Sequence, residues 1–144
     1  MSEIKLRGLS LFSNVGVAEA YLEEIGVDIC IANEIDTERA KFYKHLYPNC
    51  EVIIGDIKDT EVRNTIIAKA KKINIDFVIA TPPCQGMSKH GKQDPHDLRN
   101  QLVSYAIEVI KEVKPKFILL ENVPRQLKTR IDYNGERILI LSPL

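Results

Sequence analysis

Short apolar runs alternate with amphipathic stretches along most of this chain. The runs at 4–12, 29–32, 52–54, 76–80 and 116–120 have the length and composition of strands. The stretches 17–25, 37–46, 60–73 and 98–113 repeat apolar residues near the 3.6-residue period of a helix. Because strands and helices alternate, the pattern predicts an α/β fold: a doubly wound, mostly parallel sheet with helices on both faces.

Local signals place the ends of the first two helices. Gly26 is a stop signal for the first helix, whose apolar face is predicted to be Val17, Tyr21, Leu22 and Ile25. Thr37 is the predicted N-cap of the second helix, and Pro48 ends it. Near the carboxyl terminus, the runs 128–131 and 136–141 flank Tyr133-Asn134-Gly135, which predicts an antiparallel hairpin.

Composition narrows the class of protein. The 144 residues, 44% hydrophobic and 28% charged, predict a single globular domain, 1–144. Twenty basic and twenty acidic residues give a formal net charge of zero, so binding to nucleic acid by overall charge is excluded. The apolar runs are too short for a membrane span and no secretory signal is recognised, so we expect a cytoplasmic protein. Three cysteines predict neither a disulfide framework nor a paired-cysteine zinc site, and we expect no metal.

Parallel α/β sheets bind ligands at the carboxyl ends of their strands, so the residues that follow each strand are candidates. Phe12–Gly16 forms a strand-to-helix turn whose N–H groups can face a ligand, although an ordinary turn explains it equally well. Glu34, about 20 residues further on, stands where an acid bonds ribose hydroxyls. The alternative for Glu34 and Asp36 is a helix N-terminus that favours negative charge. Asp56 is ambiguous, because Gly-Asp is common in turns.

Cys84 follows two prolines at the end of the fourth strand and begins a long polar loop. The prolines restrict the backbone and place the thiol at the ligand edge, which favours a nucleophile over a bystander. His90 and His96 lie in the same loop and are interpreted as solvated residues. Glu121 ends the fifth strand, where partial removal from water lets a carboxyl group hold a proton, or where it simply faces solvent.

Two of these segments carry a family resemblance. Residues 81–88, Thr-Pro-Pro-Cys-Gln-Gly-Met-Ser, resemble the Pro-Cys-Gln motif of the cytosine-C5 methyltransferases, and Leu120-Glu121-Asn122-Val123-Pro124 resembles their Glu-Asn-Val motif. Four further segments are similar to motifs of this family: 11–16 to its S-adenosylmethionine motif, 33–36 to its acidic ribose site, 55–57 to its adenine-side motif, and 97–102 to its Asp-x-Arg-x-x-Leu segment. Two departures stand out: Ser10 replaces an aspartate, and Asn14 replaces a glycine.

The resemblance implies a fold of the S-adenosylmethionine-dependent methyltransferase type and a set of site residues. Cys84 would be the nucleophile and Glu121 the proton donor. Cofactor contacts would come from Phe12, Ser13, Asn14, Gly16, Glu34, Ile35, Asp56, Ile57 and Pro83. Substrate contacts would come from Gln85, Ser88 and Asn122. The implied activity is methylation of duplex DNA at C5 of cytosine, in a bacterial restriction-modification system.

Members of the family continue into a target-recognition region and a segment that closes the cofactor site. No room for either remains after Val123, so we expect this chain to be the amino-terminal catalytic portion, a fragment or a subunit that acts with a second one. An exposed apolar edge is then expected where the remainder packs. Two alternatives stay open: methylation of transfer RNA by the same chemistry, and an inactive cofactor-binding module that docks to a partner.

Overall fold

One five-stranded sheet contains the strands that the apolar runs predict, in a computed structural model that describes residues 5–83, 101–121, 130–133 and 136–139. Its strands are β1 (Leu6–Leu11), β2 (Val27–Glu34), β3 (Glu51–Ile54), β4 (Phe77–Ala80) and β5 (Phe117–Leu120). The helices are α1 (Thr37–Leu46), α2 (Thr60–Lys72) and α3 (Leu102–Val113). All four strand pairings in this sheet are parallel, as predicted. The predicted hairpin also forms, from β6 (Arg130–Tyr133) and β7 (Glu136–Leu139).

The strand order β3-β2-β1-β4-β5 makes β1 the central strand. From β1 the chain proceeds to β2 and β3 on one side, and then crosses to β4 and β5 on the other. The crossing creates a switch point between β1 and β4, where the connections that leave the two strands diverge. Ligands bind to doubly wound sheets at this position, on the side of the carboxyl ends.

Two apolar clusters cover the two faces of the sheet. The larger cluster packs α2 and α3 on Leu9, Leu11 and Ile31, and the smaller one packs Tyr43 of α1 on Ile29. Ile29 and Ile31 are two residues apart, yet they belong to opposite clusters. The pairing with β1 explains this, because Gly8 pairs with Ile29 and the next residue, Leu9, pairs with Ile31. Cys30 is therefore the additional residue of a β-bulge, which reverses the alternation of side chains.

Most helix predictions agree with the structure, with small differences at the ends. Asp36, rather than Thr37, is the N-cap of α1, and its Oδ1 accepts a hydrogen bond of 2.9 Å from the N–H of Arg39. The helical period of 60–73 predicts an apolar face of Val62, Ile66, Ala70 and Ile73, and all four pack in the larger cluster, with Ile66 and Ala70 fully buried. The period of 37–46 predicts an apolar face of Ala40, Tyr43 and Leu46, of which the first two are buried and Leu46 is half exposed. The start of the last predicted helix, 98–100, lies outside the described residues.

The helix predicted at 17–25 is wrong. This segment consists of turns that end in a 3₁₀ helix, Glu23–Ile25. Of its predicted apolar face only Leu22 is buried, whereas Val17 is 78% exposed and Tyr21 and Ile25 are each 74% exposed. Short amphipathic helices gain most of their stability from packing of the apolar face. Here three of the four apolar residues lack that packing. Besides Leu22, the segment buries an acidic residue, Glu19.

β5 forms one edge of the sheet and exposes apolar side chains. Phe117, Ile118 and Leu119 are each between 47% and 54% exposed. Among the described residues no strand pairs with the outer side of β5, and an edge strand of this kind is a template for pairing with a further strand. This is the kind of exposed apolar edge that the sequence predicts.

Candidate functional site

The candidate site lies at the switch point, where the segments that follow β1 and β4 are joined by hydrogen bonds. The N–H of Thr81 donates to the carbonyl of Leu11 at 3.3 Å, and its hydroxyl donates to the carbonyl of Phe12 at 3.1 Å. Pro82 is buried beside this contact, and Pro83 is exposed. The turn after β1 and the residues that lead to Cys84 therefore start from one anchored point.

The turn at 12–16 has an unusual backbone. Phe12, Asn14 and Gly16 have φ angles of 58°, 52° and 82°, and the N–H of Gly16 donates to the carbonyl of Ser13 at 3.0 Å. Left-handed φ angles are tolerated by asparagine better than by most residues, so Asn14 is compatible with its position in place of a glycine. Two tyrosines of the α1 region cover Gly16: the Tyr47 hydroxyl donates to its carbonyl at 2.7 Å, and a Cβ at Gly16 would lie 3.0 Å from the Tyr43 ring.

Glu34 connects this turn to the end of β2. It is 95% buried, its Oε2 accepts from the N–H of Asn14 at 2.8 Å, and its Oε1 accepts from the N–H of Asp36 at 2.9 Å. The helix-terminus interpretation fits Asp36, which caps α1, but it does not account for the bond from Glu34 to the turn. A carboxylate offers about four lone-pair sites. Two therefore remain on Glu34 for hydroxyl groups of a ligand.

Asn33 was not among the predicted site residues, yet it organises the neighbouring strand end. Its side-chain amide is buried and donates to the carbonyl of Ile53 at 2.9 Å and to that of Gly55 at 3.1 Å. Its own carbonyl accepts from the N–H of Ser13 at 3.1 Å. Asn33 thus connects the turn after β1 to the turn after β3. An amide at a strand end was the one available signal, and it does not distinguish this role from a solvated residue.

The other residues predicted on this side differ in exposure. Asp56 is half buried, and its Oδ1 accepts from the N–H of Lys58 at 2.9 Å, as in a turn. Ile57 is buried in the larger apolar cluster, while Ile35 is 61% exposed. Their roles as cofactor contacts stay predictions.

Glu121 lies beside the end of β4. Its N–H donates to the carbonyl of Ala80 at 3.0 Å, so it stands next to Thr81, three residues before Cys84. Its side chain is exposed, which agrees with the alternative in which it faces solvent rather than with partial removal from water. The edge position explains this, because β5 has no strand on its outer side among the described residues. Cys84, Gln85, Ser88 and Asn122 lie outside the described residues.

The donors and acceptors around the turn fit S-adenosylmethionine. Glu34 offers acceptor sites for ribose hydroxyls, and the hydroxyl of Ser13 is buried without a hydrogen-bond partner in the described structure. Buried polar groups without partners are uncommon and call for an explanation, such as a ligand. At Gly16 a side chain would meet the rings of Tyr43 and Tyr47, and a contact of its backbone with the cofactor stays a prediction.

The described ranges hold neither a metal-binding cluster nor a membrane-spanning helix. No cluster of three or more His, Cys, Asp or Glu side chains there has an arrangement suited to a metal ion. None of the helices there combines the length and hydrophobicity needed to cross a bilayer.

Comparison with known proteins agrees with this geometry. Residues 6–140 match the family model of the C-5 cytosine-specific DNA methylases. The chain is 45% identical over 131 residues to the Type II methyltransferase M1.HgaI of Avibacterium volantium, covering 88% of this chain and 37% of that protein. It is 37% identical over 119 residues to the Type II methyltransferase M.XorII of Xanthomonas oryzae, covering 81% of this chain and 28% of that protein.

A solved structure shows the same fold. A triple mutant of DNMT2 from Spodoptera frugiperda superposes with a TM-score of 0.59 at 28% identity, over 83% of this chain and 36% of that one. The chain therefore spans about a third of the length of the proteins it resembles.

Replacing Gly16 with alanine tests the packing of the turn. Gly16→Ala places a methyl group against the rings of Tyr43 and Tyr47 and forces alanine into a left-handed backbone. We expect the free energy of unfolding to fall by about 1–3 kcal/mol, measured by urea unfolding. Gly26→Ala is the matched control, since Gly26 has a similar φ of 85° at the end of the 3₁₀ helix. Equal losses in both variants would show that the tyrosines contribute nothing.

Proposed function

Because this chain belongs to the C-5 cytosine-specific DNA methylase family, we propose that it supplies the cofactor-binding and catalytic residues of an enzyme that methylates C5 of cytosine in duplex DNA. One observation carries the proposal: the Thr81 bonds join the cofactor turn to the segment that leads to Cys84, and Glu121 bonds to the same strand end. The setting is a bacterial restriction-modification system in the cytoplasm, as the similarity to Type II methyltransferases supports.

The cofactor is S-adenosylmethionine, which supplies a methyl group bound to a positively charged sulfur. Glu34 would bind its ribose hydroxyls, and the N–H groups of the turn at 12–16 would bind its charged amino-acid end. The remaining contacts are proposed for Ile35, Asp56, Ile57 and Pro83.

Cys84 is the nucleophile of the proposed reaction. C5 of cytosine is a poor nucleophile, so the Cys84 thiolate first forms a bond to C6 and opens the C5–C6 double bond. The electron pair left on C5 would then form a bond to the methyl group while the bond between that methyl group and sulfur breaks and S-adenosylhomocysteine leaves. A base then removes the C5 proton, the C6–S bond breaks, and the thiolate is regenerated. The two cysteines in the described part of the chain are unsuited to this role: burial raises the pKa of Cys50 to about 12 and also raises the pKa of Cys30.

Glu121 is the proposed partner of Cys84. A carboxyl group that donates a hydrogen bond or a proton to N3 of cytosine withdraws electrons from C6 and makes it more electrophilic. The bond from the Glu121 N–H to the carbonyl of Ala80, four residues before Cys84 in sequence, fixes its backbone at the end of β4. Gln85, Ser88 and Asn122 are proposed to contact the cytosine after it is flipped out of the duplex.

The enzyme is proposed to need a further segment or a second subunit. The chain covers 37% and 28% of two curated relatives, and sequence recognition in DNA requires base contacts beyond those that bind the phosphates. Two exposed apolar surfaces are available for such a partner. One is β5 at the sheet edge, and the other comprises Val17, Tyr21 and Ile25 beside the cofactor turn.

Changing Glu34 tests cofactor binding. Glu34→Ala removes the acceptor for ribose, and we expect affinity for S-adenosylmethionine to fall by about 1–3 kcal/mol in calorimetry. Glu34→Gln should be similarly harmful, since its amide NH₂ must face one of the two N–H donors that the carboxylate now satisfies. Glu38→Ala, which removes an exposed acid of α1, is the control. Unchanged affinity in a folded Glu34→Ala variant would reduce Glu34 to an acid that supports the helix terminus.

Changing Cys84 tests the nucleophile. Cys84→Ser replaces a thiolate with a much weaker nucleophile, so methyl transfer should fall about 10³-fold or more. Covalent trapping on 5-fluorocytosine DNA should disappear, while cofactor affinity stays nearly unchanged. The assay compares duplex DNA, transfer RNA and no nucleic acid, with the complementary segment present, and Cys30→Ser is the control. Normal turnover by the serine variant would remove the assignment, and methylation of transfer RNA alone would change the substrate.

The isolated 144-residue chain tests the proposed incompleteness. Its net charge is zero, so we expect weak DNA binding without sequence preference that falls steeply with salt, and little or no methylation. Adding a complementary subunit should restore activity. Robust sequence-specific methylation by the isolated chain would contradict the proposal.

The same preparation tests the role of β5. We expect self-association in analytical ultracentrifugation, and Ile118→Lys should reduce it by placing a charge on the apolar edge. The control is Glu61→Lys, which places a lysine at an exposed position of α2, away from the apolar edge. Lys111→Ile would not serve as a control, because it adds apolar surface. A monomeric wild-type chain would show that the edge does not drive association.

A further inference from the structure

Glu19 is a buried acid that the residues assigned so far leave without a role. It is 3% exposed and lies three residues beyond Gly16, in the segment that forms turns instead of a helix. Two buried hydroxyl side chains face it, from Ser10 of β1 and Tyr43 of α1. Acidic residues are almost never fully buried unless they are paired, and no basic side chain pairs with Glu19 among the described residues.

One carboxylate oxygen of Glu19 accepts hydrogen bonds from the hydroxyls of both Ser10 and Tyr43. Ser10 donates a short hydrogen bond to Oε1, and the hydroxyl oxygen of Tyr43 lies 3.5 Å from the same atom. The other oxygen, Oε2, is buried and has no hydrogen-bond partner in the described structure. Burial raises the pKa of Glu19, and the bond from Ser10 opposes that effect.

These contacts lead directly to the cofactor turn. The ring of Tyr43 packs against that of Tyr47 with 4.7 Å between centroids, and Tyr47 donates to the carbonyl of Gly16. On the other side, Ser10 is two residues from Phe12, where the turn begins. Glu19 therefore joins β1 to α1 behind the turn, and it holds both structures through one atom.

Fold stability alone does not account for this arrangement. A buried carboxyl group with an unpartnered oxygen costs free energy, and an apolar group of similar shape is often as stable or more so at such a site. In addition, Ser10 occupies the position at which the motif that the turn resembles has an aspartate. β1 therefore has no carboxylate at position 10. Instead, the serine at this position bonds to the carboxylate of Glu19.

We propose that Glu19 is a positioning residue for the cofactor turn, and that its carboxyl group takes the place of the aspartate absent at position 10. It acts from the opposite side of the turn, through Ser10 and through Tyr43. The inference rests on the proposed cofactor site for its functional meaning, but the contacts that support it are independent of that site.

The test moves the carboxylate back to β1. Four variants of the chain are compared with the wild type: Glu19→Leu, Glu19→Gln, Ser10→Asp/Glu19→Leu and the exposed control Glu24→Gln. Each is measured for unfolding free energy, for the dissociation constant of S-adenosylhomocysteine, and for hydrogen exchange at the N–H of Gly16 without ligand. The exchange measurement needs no cofactor, so failure of the chain to bind cofactor is distinguishable from failure of this inference.

We expect Glu19→Leu to weaken binding and to speed Gly16 exchange about tenfold or more, because two buried hydroxyls lose their acceptor. Glu19→Gln keeps an acceptor and should retain most of both properties. The double variant should recover binding and exchange to within about threefold of the wild type.

Two results would overturn the inference. One is a folded Glu19→Leu variant with wild-type exchange and binding. The other is a double variant as impaired as Glu19→Leu, which would show that an acid on β1 cannot substitute for Glu19. If Glu19→Leu does not fold, Glu19→Ala and Ser10→Asp/Glu19→Ala replace it, and the second must again exceed the first in Gly16 protection.

Discussion

The parallel pairing of β1 with β2 on one side and with β4 on the other positions every part of the candidate site. Because parallel strands end at the same edge of a sheet, this pairing brings together the turn at 12–16, Glu34 and Thr81, which are distant in sequence. β5 adds Glu121 to the same edge through its pairing with β4. The chemistry proposed for the site therefore depends on a register that the apolar cores of both faces maintain.

Buried polar side chains at the strand ends hold the turns of the candidate site in place. Asn33 and Glu34 are both almost fully buried, and each bonds to backbone groups of a turn rather than to another side chain. Backbone hydrogen bonds of this kind fix the path of a turn without depending on its side chains. This is consistent with a turn that has Asn14 in place of the glycine of the family motif and adopts three left-handed φ angles.

The sequence predicted the fold well, and it placed the candidate residues Glu34 and Glu121 at the ends of strands, where the structure has them. The five strands, α2 and the hairpin follow from local periodicity, which depends on neighbours in sequence. The prediction of a helix at 17–25 is wrong because such a helix forms only if another surface covers Val17 and Tyr21. Periodicity carries no information about that surface. The sequence did not identify three residues that support the site, Glu19, Asn33 and Tyr47. Their roles come from contacts between residues 9 to 31 positions apart, which no local pattern reveals.

The bulge at Cys30 has a consequence for how this sheet can change during evolution. It is the point at which β2 changes the face of the sheet to which its side chains belong, so that Ile29 packs with α1 while Ile31 packs with α2 and α3. The identity of residue 30 matters little, because its side chain is only half buried. The residue count is a stricter constraint: with one residue fewer, Asn33 and Glu34 would exchange faces. A substitution at residue 30 therefore leaves Asn33 and Glu34 on their faces of the sheet, whereas an insertion or a deletion there does not.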